Sequence, residues 1–243
     1  MKQNKYDDAA FFSKYAQMPR SQYGLEAAGE WETLRRILPD FSGKRVLDLG
    51  CGYGWHCRYA VQQGAAEVIG VDLSENMLAV ARDKCPFPQV RFLHMPMEEI
   101  GFPDASFDIV LSSLALHYVA SFSDLVKRIQ RCLTDGGWFV FSTEHPIFTA
   151  QGPQDWCYDE AGRIRHFPVD HYFDEGPRQA VFLGETITKY HRTLTTLLQT
   201  LLANGFSLRQ VVEPQPPAHL MDQAGMKDEL RRPMMLLAAA QKV

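Results

Sequence analysis

The stretch Val46-Leu-Asp-Leu-Gly-Cys-Gly-Tyr-Gly54 decides the fold, because an apolar strand pattern runs there into three alternate glycines and a helical pattern begins directly afterwards at Trp55. Glycine is needed where the backbone bends sharply or comes close to a ligand, since it carries no Cβ. A strand, a glycine-rich turn and a helix in this order form the ligand crevice at the carboxyl edge of an open α/β sheet. The stretch therefore predicts a ligand site at this turn.

Short apolar runs alternate with helical patterns on either side of the turn, over residues 44–143. Five runs are nearly continuous in apolar residues, which is typical of strands buried on both faces. They are Arg45–Leu49, Glu67–Val71, Val90–Leu93, Phe107–Leu111 and Trp138–Ser142. Helical spacing is found at Trp55–Gln63, Glu75–Lys84 and Phe122–Cys132, and Ser74 and Ser121 are candidate N-caps. This alternation predicts a parallel sheet with helices on both faces.

The remaining regions differ from residues 44–143 in their amino-acid composition. Residues 1–43 are rich in aromatic side chains and predict an N-terminal helical lid. Residues 144–190 are rich in Pro, Gly, His and aromatic residues and predict an insertion after strand five, with a hairpin around Gly184. The other expected elements are a helix near Thr193–Asn204 and apolar runs at Leu208–Val212 and Met234–Ala240. We expect residues 44–243 to form one ligand-binding domain that includes the insertion.

Composition limits the possible functions of the 243-residue chain. Its longest apolar runs are only a few residues, whereas a membrane-spanning helix needs about 20. Met1–Ala10 is polar and lacks the apolar core of a signal peptide. The net charge of −4 disfavours a nucleic-acid partner, and the five cysteines contain no C-x-x-C pair. We therefore expect a soluble cytoplasmic protein with no membrane partner, no disulfide framework and no metal site.

Two acidic residues indicate which class of ligand the glycine turn binds. The dinucleotide fingerprint would place its third glycine at position 55, where this chain has Trp55. Asp48, two residues before the first glycine of the turn, would repel a pyrophosphate and favour a ligand that carries an ammonium group. Asp72 ends the next strand 20 residues after Gly52, the spacing at which a carboxylate accepts hydrogen bonds from ribose hydroxyls. S-adenosylmethionine, a nucleoside with a cationic amino-acid tail, has this character.

Several motifs resemble those of the class I S-adenosylmethionine-dependent methyltransferases. Asp48-x-Gly50-x-Gly52 resembles the family's first motif, and Asp72 resembles its acid after strand two. Further resemblances lie at Phe102–Val110, Leu111–Tyr118 and Leu133–Trp138, so that together they cover about residues 44–143. The resemblance implies an α/β fold with a doubly wound, mostly parallel, seven-stranded Rossmann-like sheet. It also implies S-adenosylmethionine as cofactor and methyl transfer as the activity.

The resemblance also assigns cofactor contacts. It places the turn at the methionine end, Asp72 at the ribose, and Leu73 and Met77 at the adenine. Many relatives carry Asp-Ala where this chain has Pro96-Met97, so an adenine contact by an Asp is missing here. In the N-terminal segment, Tyr15 and Arg20 are candidates for the methionine carboxylate, with a surface arginine as the alternative for Arg20. The full predicted set is Tyr15, Arg20, Asp48, Gly50, Cys51, Gly52, Asp72, Leu73, Met77, Met97, Glu98 and Ser112.

Three histidines are candidate general bases, a role that imidazole suits near neutral pH. His117 follows strand four, His145 lies in Glu144-His-Pro146, and His191 lies in Lys189-Tyr-His-Arg192. Each has a structural alternative: His117 could shape the pocket, the second segment could be a fixed turn, and the third could be a solvated helix start. Bacterial methyltransferases of unassigned acceptor resemble this chain in the last two segments.

The acceptor is inferred from motifs that the sequence lacks. Leu111-Ser-Ser-Leu stands where adenine or glutamine N-methylation would want Pro-Pro-Tyr/Phe, and no cysteine lies in a recognisable pyrimidine-methylating motif. We therefore expect transfer to oxygen or nitrogen of a small molecule. The alternatives are a nucleic-acid (RNA) methyltransferase, supported by Lys227 and Arg231-Arg232, a non-catalytic binding protein, and an NAD(P)-dependent oxidoreductase, which Asp48 and Trp55 disfavour. No oligomeric state follows from the sequence.

Overall fold

The computed structural model describes residues 4–243, in which helices and strands alternate from residue 45 to residue 149. The helices are α1 (Ala9–Ala16), α2 (Pro19–Tyr23), α3 (Trp31–Ile37), α4 (Trp55–Gln62), α5 (Glu75–Lys84), α6 (Phe122–Cys132), α7 (Pro146–Thr149), α8 (Leu194–Ala203) and α9 (Met226–Glu229). The strands are β1 (Arg45–Leu49), β2 (Glu67–Asp72), β3 (Val90–His94), β4 (Phe107–Ser113), β5 (Leu133–Glu144), β6 (Cys157–Tyr158), β7 (Ile164–His166), β8 (Gly176–Phe182), β9 (Glu185–His191), β10 (Phe206–Val212) and β11 (Met235–Lys242).

Seven of these strands form one mixed sheet in the order β10-β11-β5-β4-β1-β2-β3. β1 lies parallel to both β2 and β4, and the pairs β2–β3 and β4–β5 are also parallel. Within this sheet, β11 runs antiparallel to its neighbours, β5 and β10. The predicted doubly wound, mostly parallel, seven-stranded sheet is confirmed. Its strand order reverses between β1 and β4, where open α/β sheets form their ligand crevice.

Apolar side chains bury both faces of the sheet. Leu47 and Leu49 of β1 pack on one face with Val126 and Ile129 of α6. The intervening Val46 packs on the other face, together with Trp31 and Leu34 of α3, Cys57 of α4 and Leu78 of α5. Successive residues of a strand point to opposite faces, so a strand buried on both faces requires a continuous apolar run.

The two predicted N-caps differ in outcome. Ser74 is confirmed, because its Oγ accepts a hydrogen bond from the backbone N–H of Met77 at 3.1 Å. Ser121 occupies the N-cap position of α6 as predicted, but its side chain accepts no hydrogen bond from a backbone N–H there. Its hydroxyl instead donates to the Asp124 carboxylate at 2.7 Å.

The N-terminal helices and the hairpin of the insertion pack against each other at the carboxyl edge of the sheet. The predicted hairpin is confirmed as β8 and β9, with Gly184 in its turn. Phe11 of α1 is buried with Ala180 and Ile187 of the hairpin. Lys14 extends the contact by donating to the Leu183 carbonyl at 3.0 Å. Within residues 4–243, no helix combines the length and hydrophobicity that crossing a membrane requires.

Candidate functional site

The glycine turn after β1 is held against the neighbouring strands and is open on one side. The backbone N–H groups of Gly50 and Cys51 donate to the Val71 carbonyl at 2.8 and 3.0 Å. Gly50 has a φ of +72°, and a Cβ there would lie 2.5 Å from the Cβ of Ala115. At Gly52, by contrast, a Cβ would meet no described atom within 4 Å. Gly50 is therefore fixed by packing, while Gly52 faces open space.

That open space belongs to a cavity of about 1030 Å³ at the carboxyl edge of the sheet. Its walls come from the turn, the N-terminal helices, the β8–β9 hairpin and the segment after β10. Pockets that bind a drug-sized ligand usually measure about 300–1,000 Å³, so this cavity lies at the upper end of that range and is large enough for a nucleoside cofactor. The predicted site residues that line it are Tyr15, Arg20, Gly50, Cys51, Gly52, Asp72, Leu73, Met77, Met97, Glu98 and His117.

Asp72 connects the turn to the next helix. Its Oδ2 accepts from the backbone N–H of Gly52 at 2.8 Å, and its Oδ1 accepts from that of Ser74 at 2.9 Å. Burial raises the pKa of this carboxyl, against the lowering effect of these hydrogen bonds. Because the side chain also lines the cavity, its remaining lone pairs are available to hydroxyl donors of a ligand.

Two predicted cofactor residues lie outside the cavity wall. Asp48 is only 1% exposed and points to the face of β1 that packs on α4, where its Oδ2 accepts from Cys57 Sγ at 3.3 Å. Burial raises the pKa of Asp48 to about 7. The expected direct attraction of a cationic ligand by Asp48 is therefore corrected: its carboxyl is buried against α4 and does not line the cavity. Ser112 is also buried and donates to the Leu49 carbonyl at 2.9 Å, which joins β4 to β1.

Comparison with known proteins assigns this geometry to a family. A family model described as a methyltransferase domain matches residues 47–141. A solved structure from Listeria monocytogenes, assigned as an S-adenosylmethionine-dependent methyltransferase, is 54% identical with a TM-score of 0.87, covering 90% of this chain and 99% of that one. The chain belongs to the S-adenosylmethionine-dependent methyltransferases.

Two further comparisons extend over most of this methyltransferase. An S-adenosylmethionine-dependent methyltransferase structure from Mesorhizobium loti is 43% identical with a TM-score of 0.83, covering 90% of this chain and 100% of that one. An uncharacterised protein of Haemophilus influenzae is 35% identical over 249 residues, which are 98% of this chain and 96% of that protein. The similarity therefore includes the N-terminal segment and the insertion as well as the cofactor-binding half.

S-adenosylmethionine is the cofactor, and the cavity of this methyltransferase fits it. The open space above Gly52 admits a ligand against the backbone of the turn. Asp72 presents a carboxylate to that space, and Met77 and Met97 present apolar surface beside it. The predicted ribose and adenine contacts thus lie on one continuous wall.

The cavity lining also includes a buried polar cluster around Glu144, the last residue of β5. Lys189 of β9 donates to Glu144 Oε1 at 2.5 Å and to the side-chain oxygen of Gln154 at 2.8 Å. Gln154 in turn donates to Glu144 Oε2 at 2.8 Å. His117 lies beside the cluster, with its Nε2 at 4.0 Å from Glu144 Oε1. Burial alone would raise the pKa of Glu144, but His117 and Lys189 lower it below its ordinary value.

His145 and His191, the other two candidate bases, do not line the cavity. His145 is buried, accepts from the Ile147 backbone N–H through Nδ1, and has its Nε2 2.9 Å from a carboxylate oxygen of Glu213. His191 is buried between the Thr149 hydroxyl and the Tyr172 carbonyl, at 2.8 and 2.9 Å. The expectation that these two histidines reach the acceptor is therefore corrected: His145 connects the start of α7 to the segment after β10, and His191 connects two parts of the insertion to each other.

Sequence reasoning missed several polar residues of the cavity wall. Glu144 and Lys189 could have been identified from the sequence, since they belong to the same short segments as His145 and His191. Glu30 and His56 belong to no recognisable motif, and Trp55 was considered only because it stands where the dinucleotide fingerprint requires a glycine. The missed residues that line the cavity are Glu30, Trp55, His56, Glu144 and Lys189.

Proposed function

We propose that this methyltransferase transfers the methyl group of S-adenosylmethionine to an oxygen or nitrogen nucleophile of a small molecule bound in the same cavity. The observation that carries the proposal is the pairing, within one cavity, of a wall suited to the cofactor with a second wall of different chemistry. The second wall combines aromatic and apolar side chains with the buried Glu144–Lys189 pair. Such a mixture is typical of sites that bind and orient a small ligand.

The aromatic part of this wall comes from the N-terminal segment and from the chain after β4. The Tyr6 and Tyr118 hydroxyls lie 3.2 Å apart, and burial raises the pKa values of both well above their ordinary range. Both tyrosines are therefore neutral at pH 7 and offer hydroxyl groups beside apolar rings. Ile187 and Phe182 of the hairpin complete a surface that suits a partly apolar acceptor.

Alignment of the nucleophile is the main task left to the protein. When bound, S-adenosylmethionine supplies a methyl group that is already activated by its sulfonium. Proximity and orientation can then account for about 7–11 kcal/mol of barrier lowering. The N-terminal helices and the hairpin both contribute side chains to the lining of the cavity, so an acceptor can be held from several sides.

His117 is better suited to donating a hydrogen bond than to removing a proton. Its Nδ1 faces the Glu144 backbone N–H at 3.4 Å, so the ring proton of the neutral form resides on Nε2. Burial lowers the pKa of His117 to about 4, which makes it a weak base at pH 7. We therefore propose that His117 orients the acceptor, and that the nucleophile binds in a form that needs no base from this ring.

The alternative RNA methyltransferase receives no support from its best sequence feature. Arg232 is 9% exposed, pairs with Glu229 at 2.7 Å and lies between aromatic rings of the insertion. Arg231 pairs with Asp228 at 3.1 Å. These two guanidinium groups are therefore engaged within the chain, and do not form the free basic patch that phosphate binding requires.

An acceptor screen with labelled S-adenosylmethionine tests the proposal. We expect methyl incorporation into a small molecule of a metabolite extract, and none into total RNA. In a parallel assay, the Lys189→Gln variant should lose most of this transfer, while Lys127→Gln, which changes an exposed lysine on the outer face of α6, should keep it. Incorporation only into RNA would overturn the proposal.

A further inference from the structure

The wall of the cavity next to α4 carries buried polar atoms that find no hydrogen-bond partner among residues 4–243. They include one carboxylate oxygen of Glu30 (Oε2), the indole nitrogen of Trp55 (Nε1) and a ring nitrogen of His56 (Nε2). All three residues line the cavity. Buried polar groups in folded proteins are almost always paired, so these unpaired atoms, on residues that line one cavity, are candidate contacts for a ligand.

The charges on this wall define what the ligand must offer. Glu30 is 2% exposed, and its Oε1 accepts from Arg20 at 2.9 Å, which leaves Oε2 for another donor. The Trp55 indole can only donate, so it needs an acceptor such as a carboxylate. Arg20 also lines the cavity and has further N–H groups beyond the one that it gives to Glu30. A group with an ammonium and a carboxylate on adjacent atoms satisfies both requirements at once.

The unpaired atoms of Trp55 and His56 belong to residues next to the glycine turn, where the amino-acid end of the cofactor is expected. Trp55 and His56 are the first residues of α4 and directly follow the glycine turn. Asp72, by contrast, ends β2 and presents its carboxylate to the same cavity from a different strand. A nucleoside on Asp72 therefore leaves its amino-acid tail free to reach the other side of the turn.

We infer that Glu30, Trp55 and Arg20 bind the amino-acid end of S-adenosylmethionine, with Glu30 Oε2 accepting from the ammonium group and Trp55 Nε1 and Arg20 donating to the carboxylate. The charges then alternate in sign along ammonium, Glu30, Arg20 and carboxylate, so that each lies beside its opposite. His56 completes the wall as an uncharged ring, because burial lowers its pKa to about 4. It therefore adds a polar nitrogen without repelling the ammonium group.

Titration calorimetry with two ligands tests this inference without any acceptor. S-adenosylmethionine carries the amino-acid end on a sulfonium, whereas 5′-methylthioadenosine has the same nucleoside with a neutral thioether and lacks that end. In Glu30→Gln, which keeps the shape and removes the charge, we expect S-adenosylmethionine to bind at least about tenfold more weakly. Methylthioadenosine should bind within about twofold of wild type, since it makes no contact with Glu30.

Two further variants keep the outcome interpretable. Trp55→Phe retains the ring and removes only the N–H, and we expect S-adenosylmethionine binding to weaken about three- to tenfold with methylthioadenosine unchanged. Asp72→Asn should weaken both ligands, because both carry the ribose. If Glu30→Gln unfolds because Arg20 loses its partner, Trp55→Phe alone decides the test. Unchanged S-adenosylmethionine affinity, or equal weakening of both ligands in the Glu30 and Trp55 variants, would overturn the inference.

Discussion

Removing the ammonium group of Lys189 should destabilise the protein in a way that depends on pH. In Lys189→Met, the Glu144 carboxylate stays buried, with its side chain 10% exposed, but loses a partner at 2.5 Å. Deleting one member of a buried ion pair typically costs about 3–5 kcal/mol. Gln154 still donates to Glu144 Oε2, so we expect a loss near the lower end, about 3 kcal/mol at pH 7.5.

The direction in which the stability of the variant changes with pH follows from the pKa of Glu144. In the wild type its folded-state pKa is lowered, so its stabilising contribution is present above the unfolded pKa, about 4.3, and is lost as the pH falls. In Lys189→Met the lysine no longer opposes burial, and the pKa of Glu144 rises. The deficit of the variant is then greatest at high pH and shrinks as Glu144 becomes protonated.

Urea unfolding at pH 7.5 and 5.5 measures both effects. Two controls accompany it: Lys189→Met combined with Glu144→Gln, which should recover at least half of the loss, and Lys127→Met, whose pair with Asp124 is exposed and should have no measurable effect. If Lys189→Met is as stable as Lys127→Met, or if its deficit is the same at both pH values, the buried pair does not have the role described.

Three further predictions concern the cavity and its support. His117→Gln should lower kcat without removing a limb of the pH–rate profile between pH 6 and 8, since the pKa of His117 is about 4; loss of such a limb would restore the general-base role. Gly50→Ala should abolish measurable cofactor binding in calorimetry and lower the thermal midpoint, because its Cβ would lie 2.5 Å from that of Ala115; near-wild-type affinity would contradict this geometry. Ser74→Ala should cost about 1 kcal/mol in urea unfolding through loss of the α5 cap, and an unchanged midpoint would show that the hydroxyl contributes nothing.

The fold could be predicted from the sequence because most strands are short apolar runs. β1 begins and ends where the pattern predicts, and the other parallel strands differ mainly at their ends. β5 is the exception, since it begins at Leu133 and the sequence pattern predicts Trp138. The prediction began too late because Thr134-Asp-Gly-Gly137 has the composition of a turn. Leu133 nevertheless pairs with Phe107 of β4, a contact that only the assembled sheet defines.

The site could be predicted only where a motif fixes the backbone. The glycine turn and Asp72 were found because their spacing reflects a strand, a turn and the end of the next strand. The choice of His145 over Glu144 failed because neighbouring residues at a strand end point in different directions, and sequence proximity does not say which faces the cavity. Glu30 was missed because its burial depends on Arg20 and on the start of α4, which no local pattern reveals.

The most direct test of the central claim is calorimetric titration of S-adenosylmethionine into the wild type and Asp72→Asn. The account predicts one cofactor per chain for the wild type and an affinity about 10- to 100-fold lower for the variant, because the introduced amide lacks the charge that strengthens the ribose hydrogen bonds. Asparagine is preferred to alanine in this variant since it keeps an acceptor for the Gly52 N–H. Equal affinity of the two proteins, or no binding to the wild type, would contradict the assignment of this cavity to the cofactor.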